Sequence, residues 1–291
     1  MILYTQTGEY VMIKPLYWRI NFFLKRQKSK QIRKKLGKNV KYVIAHSENG
    51  IMATDPEDLE VGHQLRANGS FGMNEVERIN QFVDKNSSVL IVGGHIGSLA
   101  IPISKSVNNC TVIEASPKNY ELLNMNILLN NCENISAYNL AASESKGKIQ
   151  FQMNSVNSGG SKRLPINNKF MYRYDDPEVI EVESETLGTL LEGKKFDLIL
   201  LDIEGSEYFA MKGMPNLLAN CRTLIVEFLP HHLTNVAGIT VEQFLENIPK
   251  QMKRLTIPSR NQTVSVEQAG PTLQDMFDKN QGDDGLIFLA E

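Results

Sequence analysis

Three short runs constrain this chain more than anything else in it. SVLIV at 88–92, DLILL at 197–201 and TLIV at 223–226 are apolar almost throughout. A strand with one wet face alternates apolar and polar residues. A strand apolar on both faces must be covered on both, which is the condition of a parallel sheet sandwiched by helices. Further runs stand at TVIE 111–114, Ile135–Tyr138 and GLIFLA 285–290, and helical stretches separate several of them. Such strand–helix alternation predicts an α/β chain with an open, doubly wound, mostly parallel sheet.

The order of elements can be read further. Residues 1–73 read as a basic helix and hairpin extension, and 74–291 as the domain that carries the sheet. In the extension, Leu16, Ile20, Phe23 and Leu24 lie on one helical face and are expected to pack on the protein's own body. Apolar stretches flank Glu48-Asn49-Gly50, a hairpin turn signal. Residues 75–85 predict a helix with Asn74 as its N-cap and Val76, Ile79 and Val83 as its core face. Ser116-Pro117 opens another, with Tyr120, Leu123 and Ile127 on one face, ending at Asn130-Asn131. Between 145 and 190, KIQFQM and VIEVES alternate as strands do and enclose a Ser/Asn/Gly stretch at 154–161. This insert predicts a hairpin-like excursion bearing a flap.

Charge is unevenly spread. Residues 14–41 hold eleven Lys or Arg and no acid, while the remaining chain holds 20 Lys or Arg against 33 Asp or Glu. An acidic body with no recognisable nucleic-acid motif predicts no nucleic-acid partner. The basic arm has two other uses: a helix packed on its own protein, or contact with an anionic membrane surface through cations beside Trp18, Phe22 and Phe23. Three scattered cysteines, Cys110, Cys132 and Cys221, exclude a disulfide framework and a CxxC zinc site. No apolar run is long enough to span a bilayer, and the N-terminus lacks the marks of a secretory leader, so a cytoplasmic location is expected.

In open α/β sheets, ligands bind beyond the carboxyl ends of the strands. Those ends carry Gly93-Gly94-His95-Ile96-Gly97, Glu114, Asn139–Ser143, Asp202-Ile203-Glu204-Gly205-Ser206-Glu207, and Glu227 with His231-His232. The glycine turn lets backbone approach a ligand closely. It is not a complete G-x-G-x-x-G, because Val92 stands where the first glycine belongs. Glu114, twenty residues after Gly94, suits a carboxylate that grips ribose hydroxyls. Nicotinamide and S-adenosylmethionine enzymes use that device alike.

VLIVGGHIGS, VIEASPKNYELLNMNILLNN, NLAAS, FDLILLDIEGSEYFAMKGM and TLIVEF follow one another in the order and spacing of FkbM-family methyltransferases, over roughly residues 74–232. The D-x-E-G-x-E segment with Lys212-Gly213 is the most specific part. The resemblance implies a Rossmann-like class I methyltransferase fold, S-adenosylmethionine as methyl donor, and a hydroxyl acceptor on a saccharide or natural-product scaffold. It implies that Gly93, Gly94, His95 and Gly97 face the methionine part of the cofactor. Glu114 then takes the ribose hydroxyls, with Ala115 and Ala141 bordering the base. Asp202 sits near the reacting sulfonium. Two positions depart from the pattern: Ile91 stands where an acid is usual, with Glu75 or Asp202 as replacements, and His95 stands where Asn is usual.

Asp202, Glu204 and Glu227 are the candidate catalytic carboxylates, and His231 is the histidine placed ahead of His232 for accepting the hydroxyl proton. A divalent metal is another use of the same acids; the assignment made here is no metal. Glu207 either lines the acceptor side or complements a helix N-terminus. Two other functions stay open: a nucleotide-cofactor oxidoreductase or epimerase, which lacks its Tyr-x-x-x-Lys pair, and a non-catalytic S-adenosylmethionine-binding module, which Ile91 keeps in play.

Overall fold

The computed structural model describes residues 14–291, with side chains from residue 17. The N-terminal leader reading and the side chain of Leu16 lie outside that range. Helix α1 (Lys14–Leu36) leads to an antiparallel hairpin, β1 (Val43–Ser47) and β2 (Gly50–Thr54), then to helices α2 (Val61–Ala67) and α3 (Met73–Asn80). The main sheet is built from β3 (Ser88–Val92), β4 (Asn109–Glu114) and β5 (Ile135–Asn139), separated by α4 (Ala100–Ser104) and α5 (Pro117–Leu129). A second, four-stranded sheet follows, made of β6 (Ala141–Ala142), β7 (Gly147–Met153), β8 (Lys162–Arg163) and β9 (Glu178–Glu185). The chain then returns with β10 (Leu198–Leu201), β11 (Thr223–Phe228), β12 (Arg254–Ile257), β13 (Gln262–Ser265) and β14 (Asp283–Leu289).

The main sheet runs β13-β12-β14-β11-β10-β3-β4-β5. The five strands from β11 to β5 are parallel, and β14 runs antiparallel between β11 and β12. This is the Rossmann-like class I methyltransferase arrangement. Strand order reverses between β3 and β10, the place where such sheets open a crevice at their carboxyl ends.

The doubly apolar runs explain the layers. Leu90, Val92, Ile199, Leu201, Leu224 and Val226 point to one face and pack with Ala210, Met211, Met214 and Leu217. Their neighbours Val89, Ile91, Leu198, Leu200 and Ile225 point to the other and pack with Val76, Ile79, Ala100, Ile103 and Leu123. Period-two alternation thus feeds two cores from one sheet. Ser116 caps α5 as expected, its hydroxyl accepting from the Asn119 amide with Pro117 in the first turn.

Three local expectations differ. Helix α3 begins two residues early, with Gly72 in the left-handed region at its N-cap and Asn74 inside the helix. The insert is no simple hairpin. β7 and β9 do pair antiparallel, but β8 joins on one side and β6 on the other. The apolar stripe of α1 faces outward: Ile20, Phe23 and Leu24 are exposed. Phe22, off that stripe, stacks on Tyr174 with ring centroids 4.3 Å apart, and Lys25, Arg26 and Arg33 pair with Glu60, Asp176 and Asp55. Spacing identifies which side chains share a face; here ion pairs decide which face turns inward.

Candidate active site

A cavity of about 350 Å³ opens at the carboxyl ends of β3, β4, β10 and β11. That volume is in the range of small-molecule sites. Its floor is the glycine turn after β3. The amides of Gly93 and Gly94 both donate to the Ile113 carbonyl, at 2.9 Å each, which ties the turn to β4. Gly93 has φ +99°, and a Cβ there would collide with the Asp202 carbonyl oxygen. Only glycine permits this seam between β3 and β10.

One end of the cavity combines a single carboxylate with an apolar wall. Glu114, at the tip of β4, is buried. One carboxylate oxygen accepts from the His95 amide and the other from the Ser116 amide, both at 2.7 Å. Burial pushes this carboxyl up to about 7, against the downward pull of those hydrogen bonds. The Asn119 side chain also pulls it down, and a carboxylate's roughly four lone-pair sites still leave acceptor capacity. Ala115, Leu140, Ala141, Ala142, Ile149 and Phe151 supply the apolar wall.

The opposite end is acidic. Glu75, Asp202, Glu204 and Glu227 line it, with Asp284 at the rim. Burial drives Asp202 well above the ordinary carboxyl range, and the charges of Glu204 and Glu75 add to the effect. Glu227 is raised in the same way, by burial first and then by Asp202. Glu75 is pushed up to about 7 by burial, and one of its buried oxygens has no hydrogen-bond partner. Glu204 holds φ +57°, a costly conformation for a residue with a side chain, kept where the surroundings impose it. A cluster of this kind favours a cationic ligand.

Behind Glu204 and Glu227 lies a buried chain of polar contacts. Lys162 Nζ donates to Glu204 Oε2 at 2.7 Å and to His232 Nε2 at 3.1 Å. An ammonium can only donate, so Nε2 is the acceptor and the ring proton sits on Nδ1. Nδ1 then donates to Glu227 Oε2 at 3.2 Å. Burial and the Lys162 charge hold His232 in its neutral form, well below the usual imidazole range. Ligand atoms of Glu204, Glu227 and His232 lie within 4.8 Å of one another, as a divalent cation would require. The Lys162 ammonium already supplies positive charge at that point.

The sequence profile described as "Methyltransferase FkbM domain" matches residues 92–279. The chain belongs to the FkbM methyltransferase family. No curated protein matches it. Among solved structures, the FkbM methyltransferase of Methylobacillus flagellatus KT is 16% identical, with a TM-score of 0.41, over 70% of this chain and 44% of that one. Trm5b of Pyrococcus abyssi is 12% identical, with a TM-score of 0.39, over 72% of this chain and 47% of that one. TYW2 of M. jannaschii, crystallised with AdoMet, is 15% identical, with a TM-score of 0.36, over 65% and 62%. This FkbM-family chain therefore spans less than two thirds of each.

Of the residues singled out from sequence, Gly93, Gly94, His95, Glu114, Ala115, Ala141, Asp202, Glu204 and Glu227 all line the one FkbM-family cavity. Gly97 and His231 do not. Gly97 lies behind the turn, where a Cβ would press on Leu123 and Ile101. The ring of His231 turns away, its Nδ1 2.9 Å from the Tyr172 hydroxyl. Glu207 staples the acidic turn, accepting from the amides of Ile203 and Gly205 at 2.9 and 3.2 Å. His95 Nε2 contacts Ser158 Oγ at 2.7 Å, and Ser158 donates to Asp58 at 2.6 Å, fastening the 154–161 stretch over the glycine turn. Lys162 and His232 complete the acidic end; Lys162 does not stand out in the sequence, which places His232 behind His231. Lys162 sits in an insert without a motif, and nothing in the order His231-His232 says which ring turns inward.

Proposed function

We propose that this FkbM-family protein is an S-adenosylmethionine-dependent O-methyltransferase acting on a hydroxyl of a saccharide or natural-product scaffold. The observation that carries this reading is the split polarity of one cavity: a single carboxylate beside an apolar wall at one end, and crowded acids at the other. The residues fit that cofactor. Glu114 lines the cavity with acceptor capacity left for a ribose hydroxyl. The alanine and Phe151 wall suits a flat base. Glu75 Oε1, 3.9 Å from the Arg78 guanidinium but without a hydrogen bond, offers an acceptor to an ammonium group, the role left open by Ile91, which is buried in the sheet.

When bound, the cofactor supplies an electrophilic methyl group on a positively charged sulfur. The chain's own residues do the rest by position and charge. Asp202, raised by burial first and by neighbouring acids second, would be ionised more readily beside a cationic ligand and would then take the acceptor's proton. Lys162 orients Glu204 toward the cavity, and His232 orients Glu227. The fastened 154–161 stretch keeps water from the methyl group. The binding-module reading loses its ground when Glu75 replaces the acid missing at Ile91.

The test is to incubate the protein with methyl-labelled S-adenosylmethionine and a panel of glycans and extracted polyketides, then treat the product with alkali. An alkali-stable methyl ether is expected. Label in an alkali-labile ester or on an amine would overturn the hydroxyl acceptor, and tight binding without transfer to any acceptor would favour the module.

A further inference from the structure

The outward face of α1 is the largest feature the cavity leaves unused. Tyr17, Trp18, Ile20, Phe23 and Leu24 are each between 51 and 64% exposed and follow one another along two turns of helix. The next turns carry exposed cations, Lys28, Lys30, Lys34 and Lys35, followed by Lys38 and Lys41. None of these six forms an ion pair among the described residues, and no acid interrupts positions 14–41. The helix is not loosely attached. Its inner face is held by the Phe22–Tyr174 stack, by Ser29 donating to the Glu57 carbonyl at 2.9 Å, and by Arg26–Asp176 and Arg33–Asp55, both at 3.0 Å. These anchors recur every three to four residues, so they fix Tyr17, Ile20, Phe23 and Leu24 on the opposite side, while Trp18 lies along the anchored flank with its ring centroid 5.8 Å from that of Phe22.

We infer that this face of α1 docks the protein on an anionic lipid surface. The chemistry suits that occupant. Trp and Tyr favour the headgroup level, Ile, Phe and Leu the acyl boundary beneath it, and lysines the negative surface potential. The rest of the chain is acidic, so an anionic surface repels it and attracts this helix alone, which sets one orientation. A second copy of α1 is a poor partner, because it would bring cations against cations. No described helix is long and apolar enough to cross a membrane, so the contact is peripheral. Lys25 of α1 pairs with Glu60, and Glu60 lines the cavity. Docking therefore leaves the cavity edge one helix diameter, about 10–12 Å, from the lipid.

The chain has a single tryptophan, Trp18, which is exposed at the edge of the patch beside Phe22. Its fluorescence reports the contact directly. Titrating the full chain with phosphatidylcholine vesicles containing phosphatidylserine should shift the emission to the blue and carry the protein into the vesicle pellet. Pure phosphatidylcholine vesicles, or high salt, should do so far less. Lys34→Glu with Lys35→Glu should weaken partitioning at least about tenfold, given roughly 1 kcal/mol per cation near such a surface. Phe23→Ser with Leu24→Ser should abolish the blue shift. All four side chains are exposed, so thermal melts of these variants should match the parent. Equal partitioning to neutral vesicles, no partitioning at all, or a dimer in light scattering that the same substitutions dissolve would each overturn the inference.

Discussion

Glu114, buried, and Asp202, half-buried, are acids in one cleft, and desolvation raises both, yet their surroundings suit them to different work. Glu114 is immobilised by two backbone amides and faces an apolar wall. Asp202 is surrounded by other acids and has charge to lose or share. Asp202→Asn should therefore cut kcat by about a hundredfold or more, the usual worth of a positioned base, with much less effect on cofactor affinity; equilibrium titration beside a turnover assay separates the two. Lys162→Met should cost roughly 2 kcal/mol in a urea titration, because it leaves the buried acceptor nitrogen of His232 without its donor and removes the cation that pairs with the partly exposed Glu204. Glu114 and Asp202 were legible as residue types at strand ends with characteristic spacing. Glu75 and Lys162 were far less so: Glu75 entered only as a substitute for Ile91, and Lys162 not at all. Each arrives from a separate part of the chain, and only the fold brings it to the cavity.

At the level of elements, buried strands were the most readable. SVLIV coincides with β3, and the other doubly apolar runs fall within a residue or two of β10 and β11. Burial on both faces leaves an unmistakable composition. β12 and β13 went unread because RLTI and QTVS are short, partly exposed and near one edge of the sheet. α1 shows the opposite failure, a correct periodicity assigned to the wrong side. The seam between β3 and β10 yields a sharp expectation. Gly93→Ala forces a Cβ against the Asp202 backbone at positive φ. It should lower stability by about 2 kcal/mol or more, since strain and overpacking add. A melting temperature unchanged from the parent would mean that the turn relaxes freely.

For the molecule as a whole, collecting acids in one cleft sets a pH dependence. Glu75, Glu114 and Glu207 are each pushed up to about 7 by burial, and Asp58 to about 6. A carboxyl raised in the folded state binds its proton more tightly there than in the unfolded chain. Its contribution is fully present below the unfolded value near 4.3 and is lost as pH climbs through about 7. The ligand-free protein should therefore melt at lower temperature at pH 7.5 than at pH 5.5. One fully buried carboxyl accounts for at most about 3 kcal/mol of that change. Melting curves across this window check it; a flat or rising trend would show that water or ions already relieve the cluster. S-adenosylmethionine, being cationic at its reacting centre, should restore more stability at pH 7.5 than at pH 5.5.

The most direct measurement is calorimetric titration of S-adenosylmethionine into the parent protein and into Glu114→Gln. The amide keeps the shape of the side chain but replaces one acceptor oxygen with a donor and removes the charge. Saturable one-site binding by the parent, weakened at least about tenfold in the variant, is the predicted result, since a hydrogen bond to a charged group is worth about 1.5–3 kcal/mol. Equal affinity in both proteins, or no binding by the parent, would contradict the placement of the ribose at the tip of β4 and with it the whole account of the cleft.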